Sequence, residues 1–268
     1  MNKLATQTLK DLFHLPHVGR GIICVWRRNF LYFRYTLITT LAWIFIEPLL
    51  YVFAFGYGLG HFVSKINGTS YVEFIAPAMM ATSGMFVAFF EGTYGTYTKL
   101  TRQNTLATII LTPVSPDEVT LAEILWCTSK AFLSVVSVAI VLLLMKLLPV
   151  RPLFPMLAVL FLNCWVFAAL GVWLASLARS YEWFTYAQSG FILPMSLFCG
   201  TFFPLSQLPP TIHRFAMFLP LTHAMQSVRM FAAGEFHAQF AINMLYLIFL
   251  GVVFTNLAAA RFDRRLVV

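Results

Sequence analysis

The chain has 268 residues, 60% of them hydrophobic and 10% charged, with a formal net charge of +8 and a mean hydropathy of +0.79. Soluble domains carry about 25% charged residues, so a soluble enzyme or binding module is excluded and an integral membrane protein is indicated. The positive charge does not point to nucleic acid, because the basic residues flank apolar runs, where they set topology.

Residues 1–34 precede any apolar run. Leu9, Leu12, Phe13, Val18, Ile22, Ile23, Val25 and Trp26 alternate there with Lys3, Lys10, Arg20, Arg27, Arg28 and polar residues. The pattern predicts an amphipathic helix lying in the cytoplasmic interface, with Trp26 at headgroup level and Arg27 and Arg28 near phosphates. No cleavable signal peptide is expected.

Residues 35–268 read as one all-α transmembrane domain with six membrane-spanning helices. The expected spans are 35–59, 74–97, 119–148, 153–178, 184–203 and 240–260, each close to or above the length that crosses roughly 30 Å of hydrocarbon. The first holds Glu47, just before Pro48, and Tyr51. The second holds Glu91, followed by Gly92, Tyr94, Gly95 and Tyr97. A charge at membrane depth is costly and marks function by default. Glu47, Tyr51, Glu91, Tyr94 and Tyr97 are therefore candidates for a polar substrate path. A hydrogen-bonded carboxylate at a proline kink is the alternative for Glu47, and ordinary core packing serves equally for the tyrosines.

Between the second and third spans lies a short polar segment, LTRQNTLATIILTPVSPDE, residues 100–118. Pro113 and Pro116 are expected to end it sharply. Asp117 and Glu118 suit the first turn of the following helix, where the helix dipole favours acids. Glu123 and Lys130 fall seven residues apart on one face of the third span, where they snorkel or pair with neighbours.

Residues 204–239, between the fifth and sixth spans, are broken by Pro204, Pro209, Pro210 and Pro220 yet stay apolar. They predict re-entrant helices at the outer membrane surface, since irregular backbone at membrane depth needs cover from protein or a water-filled cavity. Lys3, Lys10, Arg20, Arg27, Arg28 and Arg34 precede the first span, and Arg261, Arg264 and Arg265 follow the last. Lys99, Arg102, Lys130 and Arg179 share their side, while Lys65, Lys146, Arg151, Arg214 and Arg229 fall on the other. The bias places both termini in the cytoplasm.

Catalytic and metal sites are not expected. The chain has no GxxxxGK[ST] loop, no GxSxG and no HExxH. Its four cysteines are widely spaced and read as buried, inert thiols.

Three stretches carry a family resemblance: EGTYGTYTKLTRQNTLATIILTPVSPDEVTLAEILW at 91–126, FCGTFFPLSQLPP at 198–210 and PLTHAMQSVR at 220–229. With six spans and a cytoplasmic leader segment, the chain resembles, over nearly its full length, the membrane subunits of ABC-2 type exporters, in their NodJ-like branch. The resemblance implies a homodimer of permeases with two copies of a NodI-like ABC ATPase, which alone would bind ATP and Mg. It makes residues 102–113 the coupling helix, with Arg102, Gln103, Asn104, Thr105, Leu106, Ile109, Ile110, Leu111 and Pro113 facing the ATPase. Arg179 and Glu182 belong to a second, smaller contact, and Thr201, Phe202, Phe203 and Pro204 to an outer gate. It implies residence in a bacterial inner membrane and export of an amphiphile such as a lipooligosaccharide or other lipid-linked glycan. Export of a different hydrophobic compound, a drug or lipid, is one alternative, and an ion-coupled carrier using Glu47 and Glu91 is another.

Overall fold

The computed structural model describes residues 16–40, 70–148, 150–234 and 238–266, with a few isolated positions between 42 and 58. About half of the expected first span, Glu47 and Tyr51 included, lies outside the described residues, as do residues 1–15. The described residues form helices and turns only. They are α1 (Gly21–Tyr35), α2 (Tyr71–Thr101), α4 (Pro116–Leu144), α5 (Leu153–Leu177) and α9 (Gln239–Leu266). Shorter elements are α3 (Thr105–Ile109), α6 (Glu182–Ala187, then a π turn Gln188–Ile192, then Leu193–Phe198), α7 (Pro210–Ala216) and α8 (Pro220–Ala233).

Among the described residues four helices, α2, α4, α5 and α9, are long and apolar enough to cross a membrane. They correspond to the expected second, third, fourth and sixth spans. Their ends differ from the expected ones where capping chemistry outweighs hydropathy. α2 begins at Tyr71 because Ser70 and Glu73 close a capping box. α4 begins at Pro116, in a capping box of Ser115 and Glu118. Pro116 thus opens a helix as its first residue, where its missing N–H costs nothing, and is not the terminator of the preceding segment. The expected fifth span is α6, shorter than the others and interrupted by its π turn.

α5 is apolar on every face because it sits in the middle, against α2, α4, α8 and α9. α9 is peripheral: 28% of its apolar window is buried, against 56–61% for the other three. Small residues set the closest crossings. A Cβ on Gly92 would lie 2.9 Å from the Ala168 carbonyl oxygen, and one on Gly171 would lie 3.0 Å from the Gly92 Cα. This backbone-to-backbone contact between α2 and α5 is the kind that holds helices together where lipid removes the hydrophobic drive.

α1 lies against α4. Trp26 Nε1 donates to Ser129 Oγ at 3.2 Å, and the Trp126 ring meets Phe33 and Trp26 edge-on. Pro210 and Pro220 open α7 and α8 at their first turns, so the proline-broken region contains two helices. It is tied to α9 through His223 Nδ1, 2.8 Å from Asn243 Oδ1, and through Asn243 Nδ2, which donates to Ser227 Oγ at 3.2 Å.

Candidate functional site

The C-terminal ends of α2, α5 and α9 meet at one end of the bundle. Arg265 Nη1, near the end of α9, donates to the carbonyls of Ala175 and Ser176. Tyr181, just after α5, contacts Thr98 at 2.9 Å. Residues 102–115 sit at this end, here called basal.

Just inside the basal end, two acid–base pairs join α2 to α4. Lys99 Nζ is 2.7 Å from Glu123 Oε2, and Lys130 Nζ is 2.6 Å from Glu91 Oε2. Each carboxylate has a further donor. Asn29 Nδ2 of α1 reaches Glu123 Oε1 at 2.8 Å, and Trp126 Nε1 reaches Glu91 Oε1 at 3.3 Å. Local geometry explains the register. Glu123 and Lys130, seven apart, share a face of α4. Glu91 and Lys99, eight apart, would differ by about 80° on a regular α-helix. The π turn Glu91–Gly95 takes up the extra residue and turns both toward α4. A buried charge persists only when paired and hydrogen-bonded, and Glu123, 1% exposed, is both.

Glu91 opens on one side into a groove of about 360 Å³ between α1 and α2, lined also by Arg28, Tyr32, Tyr94 and Lys99. Of the expected path residues, Glu91 and Tyr94 line it. Tyr97 does not: it is 5% exposed and packs edge-on against Tyr181 and Phe184.

The basal segment is less helical than expected. Only Thr105–Ile109 is α-helix, entered from Asn104 in the left-handed conformation (φ 50°). The Thr108 hydroxyl bonds the Asn104 carbonyl and the Thr112 hydroxyl bonds that of Ile109, and the remainder to Pro113 is turn. Such hydroxyls compete with the helix ladder. Leu106 is fully buried and Leu111 is 88% exposed. Arg102, Gln103, Asn104 and Pro113 are exposed, and Thr105, Ile109 and Ile110 are half-buried. Leu106 therefore anchors the segment to its own bundle, and the free face is the one carrying Leu111. Arg179 and Glu182 are also exposed, at the same end.

Glu118 ties this segment to α1. One oxygen accepts from the Ser115 backbone N–H at 2.8 Å, the other from the Gly21 N–H at 3.0 Å. Asp117 accepts from the His17 N–H at 2.9 Å. A Cβ on Gly19 would collide with the Glu118 carboxylate, which would have to shift from this position. Sequence reasoning placed Glu118 in the first turn of α4 but missed its second partner, along with Asn29 and Trp126, since nothing local marks contacts 94, 97 or 35 positions away.

At the opposite, distal end, Thr201 is buried and Phe202, Phe203 and Pro204 are half-buried. The Tyr71 hydroxyl donates to the Phe202 carbonyl at 3.4 Å. Cys127, Cys164 and Cys199 are buried and Cys24 is exposed, all as free thiols.

Comparison with known proteins identifies a family and its relatives. Residues 20–232 match the family described as ABC-2 type transporter. The chain is 32% identical over 252 residues to Nodulation protein J of Rhizobium meliloti (strain 1021), covering 94% of this chain and 96% of that protein. It is 31% identical to Nodulation protein J of Rhizobium leguminosarum bv. viciae, with 94% and 97% covered. The protein of that name from Bradyrhizobium diazoefficiens is 32% identical over 215 residues, 80% of this chain and 82% of that one.

Proposed function

This chain belongs to the ABC-2 type transporter family, and from that premise we propose that it is the permease of an exporter moving an amphiphile, a lipooligosaccharide or other lipid-linked glycan, across the inner membrane. The family makes it a membrane transport subunit, and the sequence holds no phosphate-binding loop, which implies an ATPase partner. ATP and Mg act through that partner. Two permeases and two ATPases form the working unit, and both termini face the cytoplasm.

The observation that carries the reading is the basal segment. It is a short, exposed lever, anchored inward by Leu106 and fixed at its end to two helices by Glu118. Its face, with Arg102, Gln103, Asn104, Thr105, Ile109, Ile110, Leu111 and Pro113, docks in a cleft of the ATPase, while Arg179 and Glu182 make the second contact. A push there reaches α4 through Pro116 and α1 through the Gly21 and His17 amides.

Substrate is taken up at the groove beside Glu91 and Tyr94, where an aromatic face and paired charges suit a sugar or other polar head. Tyr97 supports that wall. Glu47 and Tyr51 belong to the same path, and Thr201, Phe202, Phe203 and Pro204 to the outer gate. The cargo class rests on the resemblance to NodJ-like permeases.

The test is assembly. The permease should retain its ATPase on affinity purification, and Leu111→Asp should release it while membrane insertion is unchanged. Undiminished retention by the variant would remove residues 102–113 from the coupling role.

A further inference from the structure

Among the described residues, the buried side-chain polar atoms without a partner are Asn163 Oδ1, Thr201 Oγ1, Gln226 Oε1, Arg229 Nε and Thr255 Oγ1. Thr201, Gln226 and Arg229 lie at the distal end, Thr201 in the turn after α6 and the other two on α8. Gln226 and Arg229 are three apart on α8 and so neighbour each other. Arg229 Nη2 donates to the Gly200 carbonyl, and Thr201, 3% exposed, is the next residue. The guanidinium carbon lies 4.0 Å over the centre of the Phe74 ring. The Gln226 amide nitrogen is spent on Met217 Sδ at 3.4 Å, which leaves its oxygen open.

Arg229 is thus a cation held flat, with one carbonyl acceptor for a fork of five N–H donors. No carboxylate lies within ion-pair distance of it among the described residues. A cation in a poorly solvated place calls for an anion. The planar fork matches an oxyanion in a way that an ammonium does not. We propose that Arg229, Thr201 and Gln226 form a binding site for the phosphate group of an amphiphile at the distal membrane surface. The guanidinium takes two phosphate oxygens and the Thr201 hydroxyl donates to a third. The Gln226 oxygen accepts from a hydroxyl of the headgroup.

Position favours a membrane-borne phosphate. Phe74 is in the first turn of α2, with Glu91 and Lys99 toward its other end, so the site is roughly 25 Å along the helix from the Glu91 pair and roughly 38 Å from the Lys99 pair. Phe215 and Phe218 are 62% and 73% exposed, and Phe218 follows Met217, the partner of Gln226. Apolar side chains beside a half-buried cation suit acyl chains below an anionic head. The site stands independently of the coupling role of residues 102–113.

The experiment is thermal unfolding of the full chain in an uncharged maltoside detergent, titrated with three probes. These are a short-chain phosphatidylglycerol, the diacylglycerol with the same chains, and inorganic phosphate. Phosphatidylglycerol should raise the Tm saturably by several degrees while the diacylglycerol does not. Arg229→Gln should abolish the shift, and Arg229→Lys should weaken apparent binding at least tenfold. Should Arg229→Gln fail to fold, Thr201→Val, of nearly unchanged size, serves with the lysine variant and should also weaken binding. An equal shift with inorganic phosphate would keep the site and make the soluble anion its ligand. Equal effects of the two lipids, or variants that titrate like the parent chain, would overturn the proposal.

Discussion

Glu91→Gln keeps the shape of the side chain and removes its charge. Lys130, whose ammonium lies 2.6 Å from the carboxylate, is left without an anion, and Trp126 Nε1 keeps a weaker acceptor. Removing one member of a fully buried pair costs about 3–5 kcal/mol. The two side chains are 20% and 21% exposed and face a groove, so solvent relieves part of that, leaving about 1–3 kcal/mol. For a chain of this size the Tm falls by roughly 3–10 °C. Lys130→Met leaves the opposite orphan and should cost a similar amount. The double variant removes both charges and should recover at least about 1 kcal/mol of the summed loss, the coupling that a double-mutant cycle isolates. Thermal unfolding of the four proteins in detergent measures this. Simple additivity, or an unshifted Tm for Glu91→Gln, would refute the pairing. Transport separates structure from path. If Glu91 touches cargo, the double variant is stable and still exports poorly.

The basal segment offers a contrast of two leucines. Leu106→Ala should destabilise the fold by about 2–5 kcal/mol, since the side chain is fully buried, whereas Leu111→Asp should leave the Tm unchanged. Equal Tm losses would contradict the anchoring role given to Leu106. Glu118→Ala removes the capping box of α4 and the acceptor for Gly21, at about 0.5–2 kcal/mol for a cap. Hydrogen exchange at the amides of residues 17–22 should quicken, and unchanged exchange would disprove the link to α1. Gly171→Ala pushes a Cβ onto the Gly92 backbone at 3.0 Å and should cost about 1–3 kcal/mol. A neutral result in thermal unfolding would show that α2 and α5 can move apart freely.

The long helices were legible because roughly 20-residue apolar runs have few alternatives. Their ends were legible only through capping residues: the Ser115–Glu118 box is visible in SPDE, and its proline reads as a first helical residue once the box is seen. The charge pairs were half legible. Glu123 and Lys130 announce a shared face by spacing, yet their partners depend on how α2 lies against α4 and on a π turn that no periodicity signals. Leu106 and Leu111 look alike in the sequence, and only packing tells the anchor from the free face. Tyr97 read as a path residue because a hydroxyl in a span draws attention, but its ring is part of an aromatic cluster with Tyr181 and Phe184. Arg229 drew none, since a single arginine after an apolar stretch reads as a topology marker.

The central claim is that ATP hydrolysis by a partner drives cargo across the membrane through this chain, with residues 102–113 as the mechanical link. The most direct measurement is transport of a fluorescent lipooligosaccharide into inverted vesicles holding the permease and its ATPase. The account predicts uptake that requires ATP and is lost with Leu111→Asp although the permease remains folded in the membrane. Uptake that continues without the ATPase, or follows an ion gradient in the absence of nucleotide, would contradict it.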